Sequence, residues 1–132
     1  MIGLGNAARG DDAAGLIAAR RLQGVEHEGD PLALLDVWDG AESVVVIDAV
    51  RSGAVPGTIH RFDAAEPLPA ALRSSTSTHA VGLAEAIELA RALGRLPARL
   101  TVYGIEGERF EVGTGLTPAV GAAVDAVVDA VP

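Results

Sequence analysis

Three residues in this chain have the types and placement to do chemistry together: Asp12, Asp48 and His79. Two carboxylates and one imidazole form a mixed oxygen and nitrogen donor set. Such a set suits a borderline divalent metal such as nickel or zinc. Either carboxylate could also activate water as a general base, with Asp48 the first choice and Asp12 the second. Asp48 interrupts the apolar run "SVVVIDAV", where a lone charge needs a reason to be present. Asp12 follows the glycine-rich opening "MIGLGNAARGDDAAG", and His79 follows the polar stretch "SSTST". A helix N-terminus at each of these two positions favours an ionised Asp12 and a neutral His79, the forms that bind metal. The same dipole opposes a cation.

Other readings compete for the same residues. Asp11 and Asp12 are of the type that caps a helix, and Asp11 is a candidate N-cap. "GLGNAA" fits the G-x-G-x-x-A fingerprint of dinucleotide-binding turns, and Glu26 or Glu28 lies near where a ribose-binding acid would be. Against that, Asp11 and Asp12 at the helix entrance would repel a pyrophosphate. "IGLGN" is also similar to the start of peptidyl-tRNA hydrolases, but their histidine-bearing continuation is absent. Ser74, Ser75 and Ser77 lack the G-x-S-x-G elbow of a serine nucleophile. His27 and His60 fall on expected strands, where surface or structural roles account for them.

Hydrophobic periodicity supplies the elements that must position these groups. Met1–Gly5 reads as a short strand ending in a glycine turn, and Asp12–Leu22 as an amphipathic helix. Val25–Glu28 reads as a strand and Leu32–Trp38 as a short helix. Ser43–Val50 is the clearest strand, a β-branched run of the kind buried on both faces. Thr58–Phe62 and Leu100–Ile105 complete the strands. Pro67–Arg73 and His79–Leu93 read as helices, the latter stopped by Gly94. Ala119–Val131 is the last helix, with Thr117 at its cap and Pro118 at its first position. Strands and helices alternate, so the expected fold is α/β, a three-layer sandwich with a twisted, mostly parallel five-stranded sheet. In such sheets ligands bind at the carboxyl ends of the strands. That rule brings Asp12, Asp48 and His79 to one edge.

Composition narrows the classes. The chain has 132 residues, of which 49% are hydrophobic, enough for one domain spanning 1–132. Cysteine is absent, so thiol nucleophiles, disulfides and Cys-based zinc sites are excluded. The net charge is −8, and the ten basic residues, all arginine, are spread along the chain. Together with the scarcity of aromatic residues, this argues against nucleic acid as a partner. No apolar run approaches the roughly 20 residues of a membrane span, and no signal-peptide pattern opens the chain. A cytoplasmic protein without a membrane partner is the expectation.

Four segments, in order, resemble the hydrogenase maturation endopeptidases. "GLGNAARGDDAAG" matches that family's G-x-G-N-x-x-x-x-D-[DE]-x-x-G pattern, and "VVVIDAV" its strand ending in aspartate. "STHAVGL" matches its S/T-x-H-x-x-x-L region, and "GTGLTPAV" its G-L-[ST]-P helix start. The resemblance implies a protease that trims the C-terminal extension of a [NiFe] hydrogenase large-subunit precursor. It implies that nickel, carried by that precursor, is read by Asp12, Asp48 and His79. No organic cofactor is implied. Gly3, Gly5, Asn6, Gly29 and Thr78 fall on the substrate side of the motifs, the glycines letting substrate backbone come close. The chain departs from the family where many members have D-G-G-T-x-G. Here the stretch reads "HEGDPLALL", keeping only Gly29, and Gly107 stands where proline is common.

Overall fold

The computed structural model describes residues 1–64, 66 and 82–131. Five strands form one sheet: β1 (Ile2–Leu4), β2 (Val25–His27), β3 (Ser43–Val50), β4 (Ile59–Asp63) and β5 (Arg99–Glu106). Their order is β2-β1-β3-β5-β4; all neighbours run parallel except β4, which pairs antiparallel with β5. The described α-helices are α1 (Ala14–Arg21), α2 (Leu34–Val37), α3 (Leu83–Ala92) and α4 (Pro118–Ala130).

The period-two alternation of β3 explains the layers. Val44, Val46 and Val50 face a core with Leu34, Leu35 and Trp38 around α2 and Leu83, Ala86 and Ile87 of α3. Ile47 and Ala49 face the opposite core, built with Ala14 and Ala18 of α1 and Val120, Val124 and Val127 of α4. Asp48 therefore belongs to the series that faces α2 and α3. A strand covered on both faces needs apolar residues in both series, which is why "SVVVIDAV" reads as a continuous apolar run.

The short strand β1 holds its place by close backbone packing. A Cβ at Gly3 would lie 2.0 Å from the Gly15 carbonyl oxygen, and one at Gly15 would lie 2.2 Å from the Ile47 carbonyl oxygen. Only glycine at both positions lets α1 rest directly on β1 and β3.

Several expected boundaries move. The helix expected from Asp12 begins instead with a 3-10 turn at Gly10–Ala13, and α1 proper starts at Ala14. The Leu32–Trp38 helix is a 3-10 turn at Pro31–Ala33, capped by the Asp30 side chain, followed by a single turn of α-helix. The helix expected from His79 is described from Leu83, with Gly82 as its N-cap. Thr117 is the N-cap of α4 and Pro118 its first residue, as the sequence indicates. The expected helix at Pro67–Arg73, the serines at 74, 75 and 77, Thr78 and His79 lie outside the described residues.

Candidate active site at the carboxyl edge of the sheet

The chain leaves β1 towards β2 on one side and leaves β3 towards β4 on the other. The gap between the carboxyl ends of β1 and β3 is thus a topological switch point, the usual place for a ligand in an open α/β sheet. Asp12 sits in the 3-10 turn that follows β1, and Asp48 lies near the carboxyl end of β3.

The two carboxyl groups feel each other. Asp48 keeps some exposed surface, yet its carboxyl is desolvated, and its pKa is pushed up from 3.8 to about 7. Burial is the main cause and the Asp12 charge the second; an Asp48 carboxylate contact with the Ala49 N–H acts the other way. Asp12 is 8% exposed. Two acids in one desolvated corner favour either a shared proton or a cation. Among the described residues, no three His, Cys, Asp or Glu side chains cluster as a metal site. Of the three residues expected as donors, Asp12 and Asp48 lie in this corner, and His79 lies outside the described residues.

The opening loop is folded by its own groups. The Asn6 side-chain oxygen accepts from the Ala8 N–H at 3.0 Å, and the Asn6 N–H donates to the Asp12 carbonyl at 3.2 Å. Gly5 has φ +150°, and a Cβ there would lie 1.9 Å from the Asp12 carbonyl oxygen. The glycines at 3 and 5 therefore make room for this chain's own backbone, and that packing accounts for them without a substrate. Glu28 accepts from the Ala7 N–H at 2.9 Å, which ties the loop bearing Gly29 to the opening loop. Glu26 pairs with Arg20 at 2.7 Å. Both acids considered for a ribose contact are thus engaged within the chain.

Asp11 does not cap its own helix, contrary to the sequence expectation; no side-chain cap bond forms there. Its carboxylate turns inward, fully buried, and accepts from the N–H groups of Glu108, Arg109 and Thr117 at 2.8, 3.0 and 2.8 Å. The Thr117 hydroxyl adds a fourth donor at 2.9 Å. Burial alone would raise the Asp11 pKa, but these hydrogen bonds outweigh it and hold the carboxyl below its ordinary value. The Thr117 side chain thus serves Asp11 rather than its own helix.

A second buried acid went unrecognised in the sequence. Glu106, 1% exposed at the end of β5, accepts from the Ser52 N–H at 2.8 Å and the Ser52 hydroxyl at 2.5 Å. Its other neighbour is His60 Nε2 at 3.2 Å. Burial opposes ionisation, but these donors win and the Glu106 pKa is lowered. His60 has the structural role expected of it. The signal for Glu106 was available, since "YGIEG" ends a buried apolar strand in an acid just as "VVIDAV" does.

Comparison with known proteins agrees with this architecture. The family model described as hydrogenase maturation protease matches residues 29–132. The Hydrogenase 2 maturation protease of Escherichia coli (strain K12) is 29% identical over 142 residues, covering 99% of this chain and 86% of that protein. The hydrogenase expression/formation protein HupD of Rhodobacter capsulatus is 30% identical over 146 residues, covering 99% and 68%. Among solved structures, the hydrogenase maturating endopeptidase HybD from E. coli superposes with a TM-score of 0.80 at 27% identity, covering 98% of this chain and 86% of that one. The [NiFe] hydrogenase maturation protease HybD from Thermococcus kodakarensis gives 0.77 at 31% identity, covering 98% and 93%. Among the described residues no helix is long and apolar enough to cross a membrane.

Proposed function

The chain belongs to the hydrogenase maturation protease family, and from that premise we propose that it removes the C-terminal extension of a [NiFe] hydrogenase large-subunit precursor after nickel insertion. Asp12, Asp48 and His79 read the nickel that the precursor carries. The observation that supports this reading is the Asp12–Asp48 pair at the switch point. Desolvation and the neighbouring Asp12 charge strain the Asp48 carboxylate, whose pKa is raised to about 7. A divalent cation brought by the substrate relieves that strain and is bound in return.

Selectivity follows as a difference of affinities. A nickel-loaded precursor offers a cation to the two carboxylates and the imidazole, whereas a nickel-free precursor leaves them facing a neutral peptide. For hydrolysis, Asp48 is the group suited to take a proton from water. A carboxyl titrating at about 7 is a stronger base than an ordinary aspartate and is still substantially ionised at neutral pH. The loops that follow β1 and β2, tied together by the Glu28–Ala7 bond, leave the same carboxyl edge, and Asn6 and Gly29 are their residues assigned to the substrate side.

The test is cleavage of purified precursor, with and without nickel. The expected result is release of the C-terminal peptide from the loaded form alone. Equal cleavage of both forms refutes nickel reading, and cleavage of neither refutes the protease assignment for this substrate.

A further inference from the structure

Asp11 is buried as deeply as any residue in the chain, yet it is charged and stands beside Asp12. In a 3-10 turn, with three residues per turn, consecutive side chains diverge by about 120°. That divergence lets Asp11 point into the protein while Asp12 serves the site. Asp11 is gripped on both its side chain and its backbone. The carboxylate takes the four donors from Glu108, Arg109 and Thr117, and its own N–H donates to the Arg109 carbonyl at 2.7 Å. The preceding residue is locked as well. Gly10 has φ +53°, and a Cβ there would lie 2.4 Å from the Thr114 hydroxyl and 2.5 Å from the Arg109 carbonyl oxygen. Two further bonds dock the same stretches, Arg9 Nε to the Phe110 carbonyl at 3.2 Å and the Gly113 N–H to the Ala8 carbonyl at 3.0 Å.

We propose that Asp11 is a positioning residue for the cleavage reaction: clamped by the segment that leads from β5 into α4, it sets where the Asp12 carboxylate stands relative to Asp48. The proposal rests on the protease reading above and on the assignment of Asp12 to the site. It differs from a purely stabilising role. A stabilising contact changes the fraction of folded protein, whereas a positioning contact changes the turnover of molecules that are already folded.

The experiment uses the full chain and nickel-loaded precursor, at a temperature where circular dichroism shows every variant folded. Thr117→Val removes one donor to Asp11 without touching either acid. It is expected to lower kcat by about tenfold with KM within about twofold, because small misplacements of reacting groups are costly. Thr117→Ser keeps the hydroxyl and is expected to restore kcat to within about twofold of the parent. Asp11→Asn, which turns an NH2 towards groups that are themselves donors, is expected to lose about 100-fold in kcat. If Asp11→Asn does not fold, the threonine pair still decides. Parent-like kcat in folded Thr117→Val, or a loss that Thr117→Ser does not restore, overturns the clamp while leaving the protease reading standing. A parent that fails to cut overturns both.

Discussion

The Asp48 carboxyl titrates near 3.8 in the unfolded chain and at about 7 in the folded one. Below pH 3.8 both states are protonated and the residue does not oppose folding. As the pH rises towards 7, the unfolded chain ionises first and stability falls; above 7 that loss is complete. Asp48→Asn cannot ionise and escapes it. The variant should therefore melt higher than the parent above pH 7, by an amount of order 4 kcal/mol, with the difference closing towards pH 4. Melting curves at pH 4 and pH 8 check this. A parent at least as stable as the variant at pH 8 would show that the Asp48 charge is not strained. The same substitution, and His79→Ala, should abolish precursor cleavage while circular dichroism stays native. A gain in stability joined to a loss of activity is the mark of a residue kept for function. Asp11 should behave in the opposite way. Its pKa is lowered, so its contribution is present above the ordinary aspartate range and is lost as the pH falls.

At the scale of elements, the site depends on how closely α1 lies on β1 and β3. A Cβ at Gly15 would meet the carbonyl oxygens of Ile47 at 2.2 Å and Leu4 at 2.4 Å, so α1 would have to lift from the strands. Gly15→Ala is expected to destabilise the protein by about 3 kcal/mol, at the upper end for overpacking. Gly121 is the matched control. It lies within α4, and a Cβ there meets nothing within 4 Å. Gly121→Ala is expected to stabilise by roughly 0.5–1 kcal/mol through helix propensity. Chemical denaturation of the two variants compares them directly. A Gly15→Ala protein as stable as the parent would contradict the close helix–strand contact. Because Asp12 rides on the turn that opens α1, Gly15→Ala should also slow cleavage more than its stability loss explains.

The whole molecule carries a net charge of −8, and Asp11, Asp12, Asp48 and Glu106 lie at the carboxyl edge of its sheet or in the loops leaving it. In the proposed reading the substrate's nickel and protons compete for the same oxygens there. Affinity for nickel-loaded precursor should rise as the pH rises from about 6 to 8, following deprotonation of Asp48 at about 7. Nickel-free precursor should show no such rise. Binding titrations of both forms across that range make the measurement. Parallel profiles would mean that the substrate metal does not meet these carboxylates. Raising the salt concentration should weaken the discrimination only slightly, because a desolvated pair is screened far less than surface charge.

The α/β class, the strand at Ser43–Val50, the start of α4 at Pro118 and the assignment of Asp12 and Asp48 to one edge were legible in the sequence. Each rests on a local signal: apolar continuity, a Thr-Pro helix start, or an acid where burial is expected. The His79 expectation lies outside the described residues. What local signals could not decide was direction. Asp11 and Asp12 are the same residue type side by side, and nothing in their spelling says which turns inward. The 3-10 geometry, and donors contributed from residues 108, 109 and 117 about a hundred positions away, settled that. The same holds for the glycines. The sequence marked close approach at Gly3 and Gly5, but only the packed structure showed that the approaching groups are the Gly15 and Asp12 carbonyls of the chain itself. Glu106 differs, since its strand-ending acid was visible in "YGIEG" while its partners Ser52 and His60 were not. Residue type and local spacing report what a side chain can do. Long-range contacts, invisible in a linear pattern, decide which neighbour it does it with.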